Sequence, residues 1–158
     1  MVGKNSLSPR EKFKQYLTDC HLRKTPERFA ILEKAITLPG HFGVDMLYDC
    51  MDSSGYHVSR ATVYSTLNLL VDCGLLNRHI FGLRKTLYEV AVGSHLHLVC
   101  SSCGKIREIE EDDNLGRLDH VELGDFTPTY SSTTIYGFCG DCRLKAARDA
   151  DPTTEQNI

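Results

Sequence analysis

Two pairs of cysteines, each with two residues between its members, constrain this chain more than any other feature. They are Cys100 with Cys103, and Cys139 with Cys142. A tight turn within each pair points both sulfurs at one centre, and two such turns complete a tetrahedron of Zn–S bonds of about 2.3 Å. The odd total of seven cysteines and the lack of a hydrophobic signal core argue against a secreted disulfide scaffold. A thioredoxin-like redox motif has a single pair of this kind, so two pairs do not fit that motif easily. The sequence therefore predicts a structural zinc site.

A second metal-ligand pattern lies immediately before the first cysteine pair. His95 and His97 alternate with Leu96 and Leu98, and in a strand residues two apart share one face. Two polar residues on the wet face of a strand would produce the same pattern. The neighbouring zinc ligands favour a second metal site instead.

Composition limits the class of protein. A chain of 158 residues with 41% hydrophobic and 25% charged residues is typical of a globular protein and long enough for one domain or two small ones. No apolar run approaches the roughly 18 residues of a membrane helix, so we expect a cytoplasmic protein with no membrane partner. Residues 1–90 carry 12 Lys and Arg against 9 Asp and Glu, whereas residues 91–158 carry 6 against 12. This difference suggests two modules with different partners.

Start signals predict four helices in the first module. Ser8-Pro9-Arg10-Glu11 and Thr25-Pro26-Glu27-Arg28 both combine a cap, a proline at the first helical position and an early acid. A third helix is predicted from about Val44, and a fourth runs from a cap at Ser59 to about Asp72. In the fourth helix, one face is predicted to be buried and another to point outward. The buried stripe comprises Val63, Leu67 and Leu70, and the outward one Arg60, Tyr64 and Asn68.

Two β-prone runs follow, Leu76 to Phe81 and Thr86 to Val90, joined by a basic turn at residues 82–85. Four helices and a basic hairpin match a winged helix-turn-helix, in which the outward stripe of the last helix enters the major groove. A generic helical domain with a solvated polar face is the alternative. Beyond residue 94 the pattern predicts a small α+β module. Its strands are at 96–100, 105–110 and 127–138, and a short helix lies around 114–121.

These residues resemble the ferric uptake regulator family of bacterial metal-dependent repressors. The resemblance spans roughly Leu22 to Arg143. Its landmarks are the segments 22–28, 59–64, 74–76, 87–89 and 135–139, together with the H-x-H and both cysteine pairs.

The resemblance implies an α+β chain with a winged-helix DNA-binding domain at 1–90, a hinge at 91–94 and a dimerisation domain at 95–143. Residues 144–158 are expected to be a disordered tail. The resemblance also implies a homodimer that binds double-stranded DNA at an inverted-repeat operator.

The family further implies a regulatory metal site. The positions that match its ligands are His41, Glu89, His95, His97 and Glu108. Imidazole and carboxylate together suit iron(II), manganese, cobalt or zinc, whereas four thiolates suit zinc. A metal ion bound at this site would hold the hinge in one conformation. It would thereby fix how the fourth helices of the two subunits, the recognition helices, are presented to DNA.

Helix geometry and the resemblance both indicate the DNA-contacting residues. Tyr64 is placed to meet a thymine methyl, and Ser59, Arg60 and Thr62 to meet phosphates or base edges. Arg23 and Lys24 are candidates for a backbone or minor-groove contact. The histidines outside the predicted sites, His21, His57, His79 and His120, are interpreted as surface or structural residues.

The function predicted is therefore iron(II)-dependent repression of metal homeostasis genes, without enzymatic activity. Peroxide sensing through the same pocket is the close alternative, although sensors of that kind favour aspartate where this chain has Glu89 and Glu108. Zinc or manganese sensing also stays open. Two alternative hypotheses do not involve metal sensing. The first is a metal-dependent hydrolase in which His95, His97 and Glu108 surround a catalytic ion. The second is a zinc-ribbon scaffold.

Overall fold

The computed structural model describes residues 7–81, 85–91, 95–110, 122–127 and 131–149. Backbone contacts divide the chain into two compact units, Met1–Val92 and Gly93–Ile158. Among the described residues each unit has its own sheet, of two strands in the first and three in the second. Among the helices in these ranges, none is both long and apolar enough to cross a membrane.

The first unit begins with four helices. They are α1 (Pro9–Asp19), α2 (Pro26–Ala35), α3 (Val44–Ser53) and α4 (Arg60–Asp72). Two of their starts follow from capping. The Ser8 side chain accepts from the Glu11 amide while Glu11 accepts from the Ser8 amide, which is the predicted capping box. Ser59 Oγ accepts from the Thr62 amide at 3.0 Å and caps α4.

A hairpin completes the first unit. Strand β1 (Leu76–Phe81) pairs antiparallel with β2 (Lys85–Val90). The predicted stripe of α4 is fully buried, in a core that the other helices and β1 share. The largest members of this core are Phe13, Leu17, Ile31, Leu32, Phe42, Leu47, Met51, Leu67, Leu70 and Leu76. Four helices with a hairpin confirm the predicted winged helix-turn-helix.

The second unit is a mixed sheet followed by a helix. Strands β3 (His95–Cys100), β4 (Ile106–Glu110) and β5 (Thr133–Gly137) lie in the order β4-β3-β5. The central strand is antiparallel to β4 and parallel to β5. Helix α5 (Gly140–Asp149) follows. Mixed helix and sheet confirm the predicted fold class.

The C-terminal tail differs from the expectation. Instead of a disordered segment from residue 144, α5 continues to Asp149. The amide of Arg143 donates to the Cys139 carbonyl at 3.0 Å, so the second cysteine pair lies in the first turn of this helix. Lys, Arg and Ala then extend it because they are strong helix formers. No residue of α5 is buried, so it lacks the apolar stripe by which sequence patterns reveal helices.

The third strand of the second unit is shorter than predicted. Of the predicted strand at 127–138, the structure has Thr133–Gly137 as a strand, which is the length over which β3 pairs with it, and residues 128–130 lie outside the described residues. The predicted helix at 114–121, the tip of the hairpin at 82–84, the hinge residues 92–94 and the tail residues 150–158 lie outside the described residues.

Candidate metal centres and nucleic-acid interface

The four cysteines of the two pairs converge at one point of the second unit. The Sγ atoms of these residues all lie within 4.8 Å of one another. The residues are Cys100, Cys103, Cys139 and Cys142. The sulfurs of Cys103 and Cys139 are 3.8 Å apart. Two sulfurs at the tetrahedral angle on Zn–S bonds of about 2.3 Å are separated by about 3.8 Å. The cluster therefore fits a zinc ion, as the spacing predicts.

The acid–base properties of these thiols also fit a metal cage. The amides of Cys139 and Cys103 donate to the Cys100 sulfur and lower the pKa of that thiol to about 6. At Cys142 a hydrogen bond from Ser102 lowers the pKa, but the adjoining thiols of Cys139 and Cys103 outweigh it and raise the pKa to about 12. Neighbouring thiols titrate as a set, and each thiolate opposes the next. Four thiolates together need a divalent cation to neutralise them.

In the first unit, a β-bridge brings two predicted ligands together. Phe42 and Tyr88 exchange backbone hydrogen bonds of 2.9 and 2.8 Å. Their neighbours His41 and Glu89 are therefore adjacent, with Nε2 of His41 3.1 Å from Oε2 of Glu89. Both side chains are buried, at 7% and 5% exposure. Two donor atoms at right angles on bonds of 2.0–2.1 Å are about 3 Å apart, so this pair is spaced like two ligands of one ion.

The carboxylate of Glu89 is the centre of a buried polar cluster. Its Oε1 accepts from Nε2 of His79 at 2.8 Å and from Nδ2 of Asn77 at 3.2 Å. Burial by itself would raise the pKa of Glu89, but the hydrogen bonds from His41, His79 and Asn77 together outweigh burial and hold the pKa well below its usual range. Glu89 is therefore an anion inside the protein, the form in which a carboxylate binds metal.

His79, like Asn77, was not assigned to this cluster by the sequence interpretation, which gave it as a surface or structural residue. It is buried at 6% exposure, its ring stacks on Phe81 at 5.3 Å between centroids, and it meets the His41 ring edge to face at 5.4 Å. The signal was in the register of the hairpin. Asn77 is paired with Glu89, and His79, two residues along the same strand, shares that face.

In the second unit, β3 and β4 place three predicted ligands on one face of the sheet. His95 and His97 share a face of β3, and Glu108 is paired directly with His97. The Nε2 atoms of the two histidines are 3.1 Å apart. His97 is buried at 1% exposure, and its Nδ1 is 3.5 Å from the Ser132 hydroxyl. The two imidazoles are therefore spaced like ligands of one ion, with a polar partner behind His97.

The outward face of α4 is the candidate nucleic-acid interface. Ser59 and Arg60 are exposed, Thr62 is half-buried, and Tyr64 is 51% exposed. Arg60 donates to the carboxylate of Asp45 and lies over the Tyr48 ring at 4.5 Å. A groove of about 530 Å³ runs between this face and the hairpin. Its lining includes Asp45, Tyr64, Asn68, Arg78 and Thr86.

Arg23 and Lys24, immediately before α2, are both exposed. The Arg23 carbonyl accepts a hydrogen bond from Arg28 at 2.6 Å. This contact fixes the backbone of the turn while both basic side chains point away from the core, as a phosphate contact requires.

Comparison with known proteins gives consistent results. A family model described as the ferric uptake regulator family matches residues 19–125. The peroxide-responsive repressor PerR of Staphylococcus saprophyticus is 32% identical over 129 residues, which cover 78% of this chain and 84% of that protein.

Solved structures show the same likeness. The ferric uptake regulator of Vibrio cholerae has a TM-score of 0.60 and 32% identity, over 80% of this chain and 98% of that one. The ferric uptake regulator of Helicobacter pylori has a TM-score of 0.70 over 85% of this chain and 91% of that one, at 18% identity, and is therefore similar in fold.

Proposed function

Because the chain belongs to the ferric uptake regulator family, we propose that it is a metal-responsive transcriptional repressor that binds DNA as a homodimer at an inverted repeat. The observation that supports this most is the buried anion Glu89 beside His41, placed in the same unit as the α4 surface. Because His41 and Glu89 are spaced like metal ligands and lie in the proposed DNA-binding unit, binding of a metal ion would affect that unit directly.

The regulatory ion is proposed to take its ligands from both units. His41 and Glu89 belong to the first, and His95, His97 and Glu108 to the second. This nitrogen and oxygen set suits iron(II), manganese or zinc. The bound ion would supply positive charge that both ligand groups share, while the four cysteines hold a structural zinc ion.

Metal binding would act by shifting a population. Without the ion, the two units are proposed to sample several arrangements. With it, the arrangement that presents two recognition helices to one operator is favoured. A coupling of about 1–3 kcal/mol, common between linked sites, corresponds to a change in DNA affinity of roughly 5- to 150-fold.

The experiment compares metal-dependent DNA binding of the native protein with that of His41→Ala and His97→Ala. Protein purified without oxygen would be titrated with iron(II), manganese or zinc on a duplex selected by the metal-loaded protein from a random library. We expect both variants to lose the metal response while keeping the structural zinc. His57→Ala, at an exposed histidine bonded to Asp52, is the matched control. A metal response that survives in both variants would mean that His41 and His97 do not hold the regulatory ion, whereas a native protein with no metal response would be a zinc-ribbon scaffold.

Iron(II) is the proposed regulatory ion, and a second candidate function is peroxide sensing. The similarity to a peroxide-responsive repressor favours the second, whereas the glutamates at positions 89 and 108 favour the first. Treating the iron-loaded complex with hydrogen peroxide discriminates between them. Release from DNA together with an added oxygen atom on the peptide that contains His95 and His97 supports peroxide sensing. Retention on DNA supports iron-dependent repression.

Two further measurements complete the assignment. Sedimentation of the zinc-loaded protein tests the homodimer. Turnover of generic esters and phosphodiesters tests the hydrolase alternative, for which the relatives, named as regulators, supply no support.

A further inference from the structure

The two carboxylate oxygens of Glu89 have different neighbours. Oε1 accepts from His79 at 2.8 Å and from Asn77 at 3.2 Å, whereas Oε2 faces Nε2 of His41 at 3.1 Å. Both donors to Oε1 come from one strand, β1, and the acceptor from its partner β2. The arrangement therefore depends on the hairpin.

The direction of the His79 contact follows from charge. In the metal-bound state that the proposed function requires, Glu89 is a carboxylate, and a carboxylate can only accept a hydrogen bond. Nε2 of His79 must therefore carry the proton in this contact. A nitrogen that carries a proton has no lone pair for a metal, so His79 in this state is a donor to the carboxylate and not a ligand.

We propose that His79 and Asn77 are positioning residues that hold Oε1 of Glu89 and reserve Oε2 for the regulatory metal. Glu89 then binds through one oxygen. This inference rests on the proposed function, since it concerns the same ion. It adds a specificity element, because a carboxylate restricted to one oxygen supports a lower coordination number than one that binds through both.

The packing around His79 supports this role. Its ring is stacked on Phe81 with an interplanar angle of 8° and is buried at 6% exposure. A ring held by stacking keeps its Nε2 aimed at Glu89 at little further entropic cost. Outer partners of this kind typically change metal affinity about 10- to 100-fold when removed.

The test uses cobalt(II) as the probe in the full chain with its structural zinc retained. The variants are His79→Leu, which removes the donor, His79→Gln, whose amide nitrogen restores it, and Asn77→Leu, which removes the second donor. Cobalt affinity is measured by competition with a chelator. The intensity of the visible cobalt bands reports coordination, because these bands weaken as the coordination number rises. Thermal unfolding of the zinc-only form shows that each variant folds.

We expect His79→Leu to bind cobalt about 10-fold or more weakly and with weaker visible bands, since Glu89 becomes able to bind through both oxygens. Asn77→Leu should change both quantities in the same direction and by less, because its contact is longer. His79→Gln should resemble the native protein.

Three outcomes would overturn the proposal. If His79→Gln loses as much affinity as His79→Leu while Asn77→Leu has no effect, His79 is itself a ligand. If all three variants match the native protein in affinity and bands, Glu89 needs no positioning, and the proposed function stands without this element. If the native protein binds no exchangeable cobalt, both the proposed function and this inference fail. Asn77, half-buried rather than buried, keeps the test decisive if His79→Leu does not fold.

Discussion

Arg60, at the first position of α4, donates a hydrogen bond to the carboxylate of Asp45 near the start of α3. The same guanidinium lies over the Tyr48 ring. Arg60 is therefore engaged by an acidic side chain on the very face proposed to meet DNA, and a phosphate must compete with Asp45 for it.

Asp45→Asn is expected to strengthen DNA binding. An exposed ion pair is weak because solvent screens it, so release of Arg60 should raise the DNA affinity by at most about fivefold. Fluorescence anisotropy at moderate salt measures the change. Asp72→Asn, at the far end of α4, makes the same change in net charge and is the control. Equal effects of the two variants would mean that net charge alone is responsible.

Tyr64→Ala should weaken binding to the selected operator about tenfold, while binding to random duplex stays nearly constant. Base contacts supply specificity and are worth about 1–3 kcal/mol each, whereas phosphate contacts are shared by all sequences. Since Tyr64 is 51% exposed, the free energy of unfolding should change little. Urea titration checks this. A large loss of stability would instead assign Tyr64 to the core.

Thr66→Val is expected to stabilise the first unit by about 1 kcal/mol. Thr66 is fully buried, and within the described residues its hydroxyl has no hydrogen-bond partner. Valine has nearly the same shape and leaves no polar atom to desolvate. Urea unfolding with zinc present measures the difference. A loss of stability would indicate that a buried water satisfies this hydroxyl.

Cys103→Ser should reduce the zinc content from one ion per chain to near zero and lower the unfolding temperature. A hydroxyl does not replace a thiolate as a zinc ligand, and binding energy at a structural site contributes directly to folding. Elemental analysis after gel filtration provides the measurement. Cys20→Ser, at an exposed cysteine outside the cluster, should retain the ion. If Cys103→Ser keeps its zinc, the four-cysteine assignment is wrong.

The parts of the fold that were predictable depend on residues close together in the chain. Ser8 and Ser59 cap helices within three residues of themselves, and the stripe of α4 follows from the helical repeat. Each cysteine pair, and His95 with His97, were also predictable from local spacing. Within each pair, the spacing alone directs both side chains to the same side of the turn or strand. Helix α5 was missed because its residues favour a helix by intrinsic propensity and do not bury an apolar stripe.

The sequence by itself therefore determined the starts of α1 to α4, the buried stripe of α4 and the residue types of both candidate metal centres. The tertiary structure decided the surroundings of Glu89. A β-bridge between Phe42 and Tyr88 places His41 beside it, and the hairpin register adds Asn77 and His79. Those partners are distant in the chain, and their effect is to keep a buried carboxylate ionised. Burial and hydrogen bonding across strands set that charge state, and neither is encoded in the local spacing of residues.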